Sequence, residues 1–263
     1  MHLIGEYIKY KLNSKGKHDI HSPFVFDFVT KCLKLELENS KKNKLKELKK
    51  SLSKDKRILE IKDFGAGSKK LGSKRSVRQI YKNATSKGIY AELLFQLVKH
   101  YDLKNVLELG TSLGVGSAYL AFGSENVNVI SIDACSETQK IAHENFSKLG
   151  LSNIHLINDN FSNFISNLNN EKFDLVFIDG HHDGFALKNY IALLEKHTND
   201  ETIFVLDDIR WNQDMLNAWN EVCDSEKFHL TLDLFRMGIV LKRTHQAKEH
   251  FVIKLKGVIK GMI

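Results

Sequence analysis

Residues from about 88 onward alternate short apolar runs with longer amphipathic segments, and this alternation constrains the fold most strongly. Five of the apolar runs are each followed by a segment of helical periodicity, which predicts parallel strands joined by right-handed helical crossovers. These five runs are NVLEL, NVISID, NIHLI, FDLVFID and TIFVLDD. Two more runs, FHLTLDL and GIVLKR, are separated only by FRM, which predicts an antiparallel hairpin. We therefore expect an α/β protein with a doubly wound, seven-stranded, mostly parallel sheet that ends in this hairpin.

Polar residues follow each of the five predicted parallel strands at the point where the strand ends. Ligands of doubly wound sheets bind outside the carboxyl ends of the strands. Carboxylates at the ends of buried strands are costly unless they are paired or bound to something. The strand ends therefore form the predicted functional site. The residues concerned are Glu108 with Gly110, Asp133, Asn158 to Asn160, Asp179 to His182, and Asp207 with Asp208.

The first of these strand ends leads into a glycine loop with Gly110, Gly114 and Gly116. Residues without a Cβ let the backbone approach a ligand closely. Asp133 ends the next strand, where a carboxylate can accept hydrogen bonds from both hydroxyls of a ribose. The pattern predicts a cofactor that contains a nucleoside. It argues against NAD, because Tyr119 stands where the NAD fingerprint has its third glycine, and no Gly-Lys-Ser/Thr of a P-loop follows a glycine loop.

The segment ELGTSLGVG, followed by Asp133 after the next strand, resembles motif I of the class I S-adenosylmethionine-dependent methyltransferases, a Rossmann-like family that also ends in a hairpin. The resemblance covers residues 84–243. Within this class the chain resembles the cation-dependent O-methyltransferases of the catechol and caffeoyl-CoA type. The features that carry this resemblance are Thr85 and Ser86 before the first helix, Asp179 after the fourth strand, and DDIRWN after the fifth.

Carried over position by position, the resemblance implies S-adenosylmethionine as the cofactor and an oxygen of a small-molecule acceptor as the methylated group. The residues implied for the cofactor are Thr85, Glu108, Gly110, Thr111, Gly114, Gly116, Asp133, Asp159 and Phe161. The residues implied for a divalent cation, Mg²⁺ or another, are Asp179, Asp207 and Asp208. The residues implied for the acceptor are Trp211 and Asn212. His182 stands where the family has its catalytic lysine, so His182 and Asp179 are the implied catalytic residues, and His181 stands where the family has an acid.

Three carboxylates at neighbouring strand ends suit a hard cation whose other positions take waters and substrate oxygens. Such a cation would lower the pKa of an acceptor hydroxyl, and methyl transfer then depends on the orientation of that oxygen. Asp207 and Asp208 have two other interpretations, as caps of the next helix or as direct contacts to the substrate. Asp208 stands where the family has asparagine. His182 is either a base that works near neutral pH or a surface loop histidine.

Charge divides the chain into a basic and an acidic part. Residues 1–87 contain 23 Lys/Arg and 9 Asp/Glu, whereas residues 88–263 contain 16 and 23. The densest basic segment, residues 41–57, has leucines at helical spacing, which predicts a helix with one apolar stripe and a basic face. This face is either solvated or a contact for nucleic acid, anionic lipid or an acidic partner.

We expect residues 1–83 to form a basic, mainly helical extension that covers the cofactor cleft, and residues 84–263 to form the methyltransferase domain. HSPFVFDF and DFGAGS in the first part resemble a bacterial O-methyltransferase-like group of unassigned substrate. DFGAGS, residues 63–68, is also a weaker candidate for the nucleoside loop, because neither a strand nor an acid follows it at the required spacing. A mobile lid or a substrate-side segment is the favoured interpretation.

Two other functions remain open from the sequence. An RNA methyltransferase would use the basic first part, and a cofactor-binding protein without catalysis would dock on a partner or a membrane surface. The second alternative draws on the amphipathic segments MHLIGEYIKYKL and FVIKLKGVIKGMI. Three distant cysteines without a CxxC pattern predict reduced thiols and a cytoplasmic location. The sequence contains no apolar run of the roughly 18 residues that a membrane-spanning helix needs.

Overall fold

The computed structural model describes residues 2–34, 37–61, 74–83 and 88–255, which include ten strands. They are β1 (Ile58–Glu60), β2 (Lys74–Ser76), β3 (Asn105–Leu109), β4 (Asn128–Asp133), β5 (Ile154–Asn158), β6 (Leu175–Ile178), β7 (Ile203–Leu206), β8 (Leu230–Asp233), β9 (Gly238–Leu241) and β10 (Glu249–Val252). The first two form a small antiparallel ribbon, and the other eight form one sheet in the order β10-β8-β9-β7-β6-β3-β4-β5.

The large sheet confirms the predicted Rossmann-like architecture. Strands β3 to β7 are parallel, and β8 and β9 form the antiparallel hairpin beside β7. The strand order reverses at β3, which pairs with β4 on one side and β6 on the other. In sheets of this kind the ligand crevice lies at such a reversal.

The sheet has one strand more than the seven expected. β10 lies parallel beside β8 and covers an edge that the hairpin would leave open. Its Phe251 and the following Ile253 are buried, so the start of the amphipathic C-terminal segment is docked on the core. The sequence did not indicate this strand because only a short run of mixed polarity, EHFV, forms it.

Ten α-helices surround the sheet in the described part of the chain. They are α1 (His2–Asn13), α2 (Pro23–Asp27), α3 (Asn39–Lys54), α4 (Val77–Asn83), α5 (Ile89–Tyr101), α6 (Val115–Phe122), α7 (Ser136–Leu149), α8 (Phe161–Ser166), α9 (Gly184–Leu194) and α10 (Gln213–Asp224). Their ends follow local chemistry. Asn160 and Asp183 cap the N-termini of α8 and α9 through their side chains, and Gly150 ends α7 in the left-handed conformation, as its position predicts.

The basic helix α3 packs on the main body of the protein. Its apolar stripe is buried, as the spacing predicts, through Leu45, Leu48 and Leu52. Lys41 and Lys44 donate hydrogen bonds to the carbonyl oxygens of Phe122 and Leu149, each at 3.1 Å. These carbonyls end α6 and α7, where the helix dipole favours a positive charge. Part of the basic face is therefore used inside the molecule.

Helix α1 is attached at the β10 side of the sheet. The hydroxyl of Tyr10 donates to the carbonyl oxygen of Ile253 at 2.5 Å and accepts from the amide of Leu255 at 3.2 Å. The ring of Tyr7 meets the ring of Phe235 edge-on, with centroids 5.3 Å apart. The first part of the chain is thus helical where it is described, apart from the β1–β2 ribbon, which the sequence pattern did not indicate. Among the described residues, no helix combines the length and the apolar character needed to cross a bilayer.

Candidate functional site

The glycine loop lies at the reversal of strand order, between the carboxyl ends of β3 and β6. Gly110 has a φ of +118°, and a Cβ at this position would come within 2.0 Å of the backbone oxygen of Asp179. Gly114 has a φ of +77°, and its Cβ would meet the ring of Phe146 at 2.5 Å. Only glycine fits this close approach of two chain segments. Gly116 follows at the start of α6, directly above the carboxylate of Glu108.

The side chains of two predicted cofactor residues, Glu108 and Thr111, are buried under the glycine loop. Glu108 is 1% exposed, and its carboxylate accepts hydrogen bonds from the hydroxyls of Ser117 and Ser131. Burial raises the pKa of Glu108 to about 7, against the opposing effect of these two hydroxyls. Thr111 is also buried, with its hydroxyl 2.6 Å from that of Ser131. Through the hydroxyl of Ser131, the side chains of Glu108 and Thr111 connect the loop to β4.

Asp133 lies at the end of β4 with both carboxylate oxygens held by backbone amides. Its Oδ2 accepts from the amide of Ser112 at 2.7 Å, and its Oδ1 accepts from the amide of Cys135 at 2.8 Å. The side chain is half-buried, and each carboxylate oxygen can accept a further hydrogen bond. A carboxylate with this accepting capacity suits the two hydroxyls of a ribose, which would donate to it. The residues therefore suit the nucleoside part of S-adenosylmethionine.

The predicted adenine side is built by the loop after β5 and by the start of α8. Asp159 accepts hydrogen bonds from the amide of Asn160 and from the side-chain nitrogen of Asn163. Phe161 is buried, with its ring centroid 5.0 Å from that of His181. The Nδ1 of His181 also contacts the hydroxyl of Tyr190. Thr85, the remaining predicted cofactor residue, and the segment 63–68 lie outside the described residues.

The acids after β6 and β7 converge around Arg236, which no sequence pattern indicates. Arg236, in the connection between β8 and β9, donates to both oxygens of Asp207 at 3.1 and 3.0 Å. Its Nε is also 2.8 Å from Oδ1 of Asp208. The Asp207 side chain is fully buried, and Asp179 lies beside the pair. A guanidinium therefore neutralises part of the charge that these carboxylates bring together.

Asp179 and Asp208 both have raised pKa values in this cluster, first because they are buried and then because the carboxylates repel one another. Burial raises the pKa of Asp179 well above its usual range, and the charges of Asp207 and Asp208 raise it further. Burial and the charge of Asp207 raise the pKa of Asp208 to about 6, although Arg236 and His182 act in the opposite direction. The cluster would thus be stabilised by an additional cation.

The group of side chains best placed for a cation differs from the predicted one. One ligand atom each from Asp179, His182 and Asp208 lie within 4.8 Å of one another. His182 thus takes the place expected for Asp207, both of whose oxygens are bound by Arg236. Asp179 and Asp208 are suitable carboxylate ligands for Mg²⁺ or Mn²⁺, and an imidazole at this position can either complete the donor set or accept a proton.

The backbone around this group adopts an unusual conformation. His181, His182 and Asp208 have φ values of +67°, +39° and +52°. Left-handed conformations are costly for residues with a Cβ and occur preferentially at functional sites. Three such φ values in one small cluster indicate backbone strain, which is typical of functional sites where side chains must be held in fixed positions.

Trp211 and Asn212, the predicted acceptor contacts, lie at the mouth of this cluster. The Trp211 side chain is 56% exposed, and its ring centroid is 5.1 Å from that of His182. Asn212 caps α10, because its Oδ1 accepts from the amide of Met215 at 2.7 Å, and its Nδ2 donates to the carbonyl oxygen of His182 at 3.2 Å. The helix-cap interpretation of Asp207 and Asp208 is therefore wrong, since Asn212 has that role.

Two polar residues of the site, Arg236 and Ser131, were not predicted from the sequence. Arg236 lies in the short FRM connection, which was interpreted only as a turn. Ser131 faces Glu108 across β3 and β4 and is a polar residue within an apolar strand. That interruption of the apolar pattern is the signal that could have identified Ser131 as the partner of a buried acid. Arg236 has no comparable local signal.

Comparison with known proteins finds methyltransferases that are similar to this chain. Residues 107–209 match a family model described as a methyltransferase domain. A protein of Mycobacterium sp. (strain JLS), named Putative O-methyltransferase, is 36% identical over 91 residues, which are 34% of this chain and 41% of that protein. A protein with the same name from Mycobacterium sp. (strain KMS) is 34% identical over 90 residues, 33% of this chain and 41% of the relative. The chain thus spans about two fifths of the length of these curated relatives.

Solved structures share the fold. The S-adenosylhomocysteine-bound methyltransferase PaMTH1 of Podospora anserina has a TM-score of 0.59 at 13% identity, covering 85% of this chain and 96% of that one. The O-methyltransferase of Bacillus cereus has a TM-score of 0.56 at 15% identity, covering 83% and 97%. Such identities establish likeness of fold alone. Together with the methyltransferase-domain match over residues 107–209, they agree with the methyltransferase class that motif I indicates.

Proposed function

We propose that this protein transfers the methyl group of S-adenosylmethionine to an oxygen of a small-molecule acceptor. The observation that carries the proposal is the juxtaposition of two groups at one edge of the sheet. Asp133, held by two backbone amides, stands beside the glycine loop, and the Asp179, His182 and Asp208 group follows the neighbouring strands. The first group suits a nucleoside cofactor, and the second suits an acceptor oxygen and its proton.

On the cofactor side, the protein contributes binding and orientation. Asp133 would accept hydrogen bonds from the ribose hydroxyls, and Phe161 with Asp159 would lie at the adenine. Gly110 and Gly114 let the loop pass close to β6 and α7, and Glu108 and Thr111 support that loop from beneath. When bound, S-adenosylmethionine supplies an electrophilic methyl group, so the rate depends mainly on how well the acceptor oxygen is oriented toward it.

On the acceptor side, His182 is the proposed base. Its Nε2 is 3.8 Å from Oδ2 of Asp208. Trp211 would pack against the acceptor at the mouth of the site. When bound, a divalent cation at Asp179 and Asp208 would lower the pKa of an acceptor hydroxyl. Arg236 holds Asp207 in place and supplies a fixed positive charge next to this position.

Residues 1–83 are proposed to act as a cap rather than as an independent domain, with residues 84–263 as the methyltransferase domain. α3 is fastened to α6 and α7, and α1 packs on the β8–β9 connection. The three cysteines are all unpaired thiols, which supports a reducing, cytoplasmic location.

The cofactor assignment is tested by Asp133→Ala. Loss of a charged hydrogen-bond acceptor should weaken binding of S-adenosylmethionine or S-adenosylhomocysteine by about 1.5–3 kcal/mol, measured by titration calorimetry. Glu226→Ala, which removes a carboxylate that is 89% exposed, is the control and should bind normally. Equal affinities for the wild type and Asp133→Ala would contradict the ribose assignment.

Two measurements test whether the protein binds a divalent cation and whether methyl transfer requires it. Chelation should abolish methyl transfer while leaving cofactor affinity nearly intact, because the cation acts on the acceptor oxygen. Mn²⁺ alone should raise the thermal unfolding midpoint of the wild type. Asp208→Asn should remove that increase, because it takes a charged ligand from the group. Turnover that persists in chelator, with no midpoint shift on adding Mn²⁺, would show that Arg236 alone supplies the positive charge.

A further inference from the structure

Helix α1 presents an apolar stripe to solvent. The exposed fractions of its large apolar side chains are 40% for Leu3, 67% for Ile4, 54% for Ile8 and 81% for Leu12. Among the described residues, half of the large apolar side chains that are exposed lie on this one helix. Ile4, Ile8 and Leu12 are four residues apart, so they line a single side of the helix. A concentration of this kind marks an interaction surface.

The orientation of the stripe is fixed by the fold. The opposite side of α1 is packed through Tyr7 against Phe235 and through Tyr10, whose hydroxyl bonds to the backbone of Ile253 and Leu255. The amide of Lys15 also donates to the carbonyl oxygen of Val252 at 2.8 Å. The helix therefore cannot turn its apolar stripe inward without losing these contacts.

Lysines border the stripe on both sides. At about 100° per residue, Lys9 lies one step beyond Ile8 and Lys11 lies one step before Leu12, on opposite sides of the apolar row. The Lys9 side chain is 73% exposed, and its Nζ is 2.9 Å from Glu6. Residues 2–17 contain four lysines and one glutamate, so the helix and the turn after it have a net positive charge.

We infer that α1 docks on an anionic lipid bilayer, with Ile4, Ile8 and Leu12 in the headgroup region and the flanking lysines at lipid phosphates. An apolar stripe bordered by lysines is the pattern of helices that lie in the membrane interface, and each lysine near an anionic surface adds to the attraction. A second copy of the chain is a poorer occupant, because it would bring the lysines of both helices face to face.

The test is cosedimentation of the full chain with vesicles of phosphatidylglycerol and phosphatidylcholine. The wild type should bind these vesicles, should bind pure phosphatidylcholine much less, and should be released by added salt. The variant Ile8→Ser/Leu12→Ser should bind at least about tenfold more weakly, because two apolar side chains no longer enter the interface. Lys9→Gln and Lys11→Gln should each weaken binding by about fivefold.

Controls distinguish docking from misfolding and from other occupants. Ile58→Ser changes an isoleucine that is 63% exposed but lies on β1, and it should bind like the wild type. A chain that ends at Leu255 keeps the stripe and should retain binding. The inference is overturned if that shortened chain loses binding, or if Ile8→Ser/Leu12→Ser binds vesicles normally. It is also overturned if the stripe variant abolishes a dimer seen by ultracentrifugation while the wild type ignores vesicles.

Discussion

Replacing His182 by alanine is expected to lower the rate constant of methyl transfer by about 10²–10⁴-fold, the usual range for loss of a general base. The imidazole is the proposed acceptor of the proton from the substrate hydroxyl. Cofactor affinity should change little, because Asp133 ends β4, which lies on the other side of β3 from β6. Single-turnover measurements with saturating cofactor isolate this step from binding and product release.

The control for this experiment is His143→Ala. His143 is exposed on α7, so its replacement should leave both rate and stability unchanged. A rate for His182→Ala within about twofold of the wild type would contradict the role as a base and favour a surface loop histidine. A parallel loss of cofactor affinity and rate would instead indicate that the variant distorts the loop after β6.

Replacing Arg236 by methionine is expected to lower the free energy of unfolding by about 3–5 kcal/mol, the range for breaking a buried ion pair by removing one partner. Asp207 would keep its fully buried carboxylate but lose both guanidinium hydrogen bonds. Repulsion between Asp207, Asp208 and Asp179 would also be uncompensated. Urea unfolding of the purified variant, followed by circular dichroism, measures the loss.

Arg57→Met is the matched control for this change. Arg57 is also paired with two carboxylates, Asp55 and Glu144, but its side chain is 48% exposed. Ion pairs with an exposed guanidinium typically contribute about 0.2–1 kcal/mol, because water already solvates the charged group of the arginine. If Arg236→Met and Arg57→Met cost the same small amount, the acidic cluster does not depend on Arg236.

The main sheet was predictable because its parallel strands are nearly continuous apolar runs that alternate with amphipathic helices. Such strands are buried on both faces, and their connections have a fixed hand. The ends of helices were also predictable, because they depend on residues adjacent in the chain. Gly150, which ends α7 in the left-handed conformation, illustrates this. The β1–β2 ribbon and β10 were not predicted, since these short strands have mixed polarity and lack the continuous apolar run of the predicted strands.

By itself, the sequence determined the Rossmann-like sheet, the glycine loop after β3 and the row of polar residues at the strand ends. These features depend on periodicity and on residues adjacent in the chain. Only the tertiary structure decided which strand-end groups meet, and it gave Asp207 to Arg236 while grouping His182 with Asp179 and Asp208. Arg236 reaches Asp207 because β9 returns antiparallel beside β7, and such a pairing depends on the strand order, which no local pattern encodes.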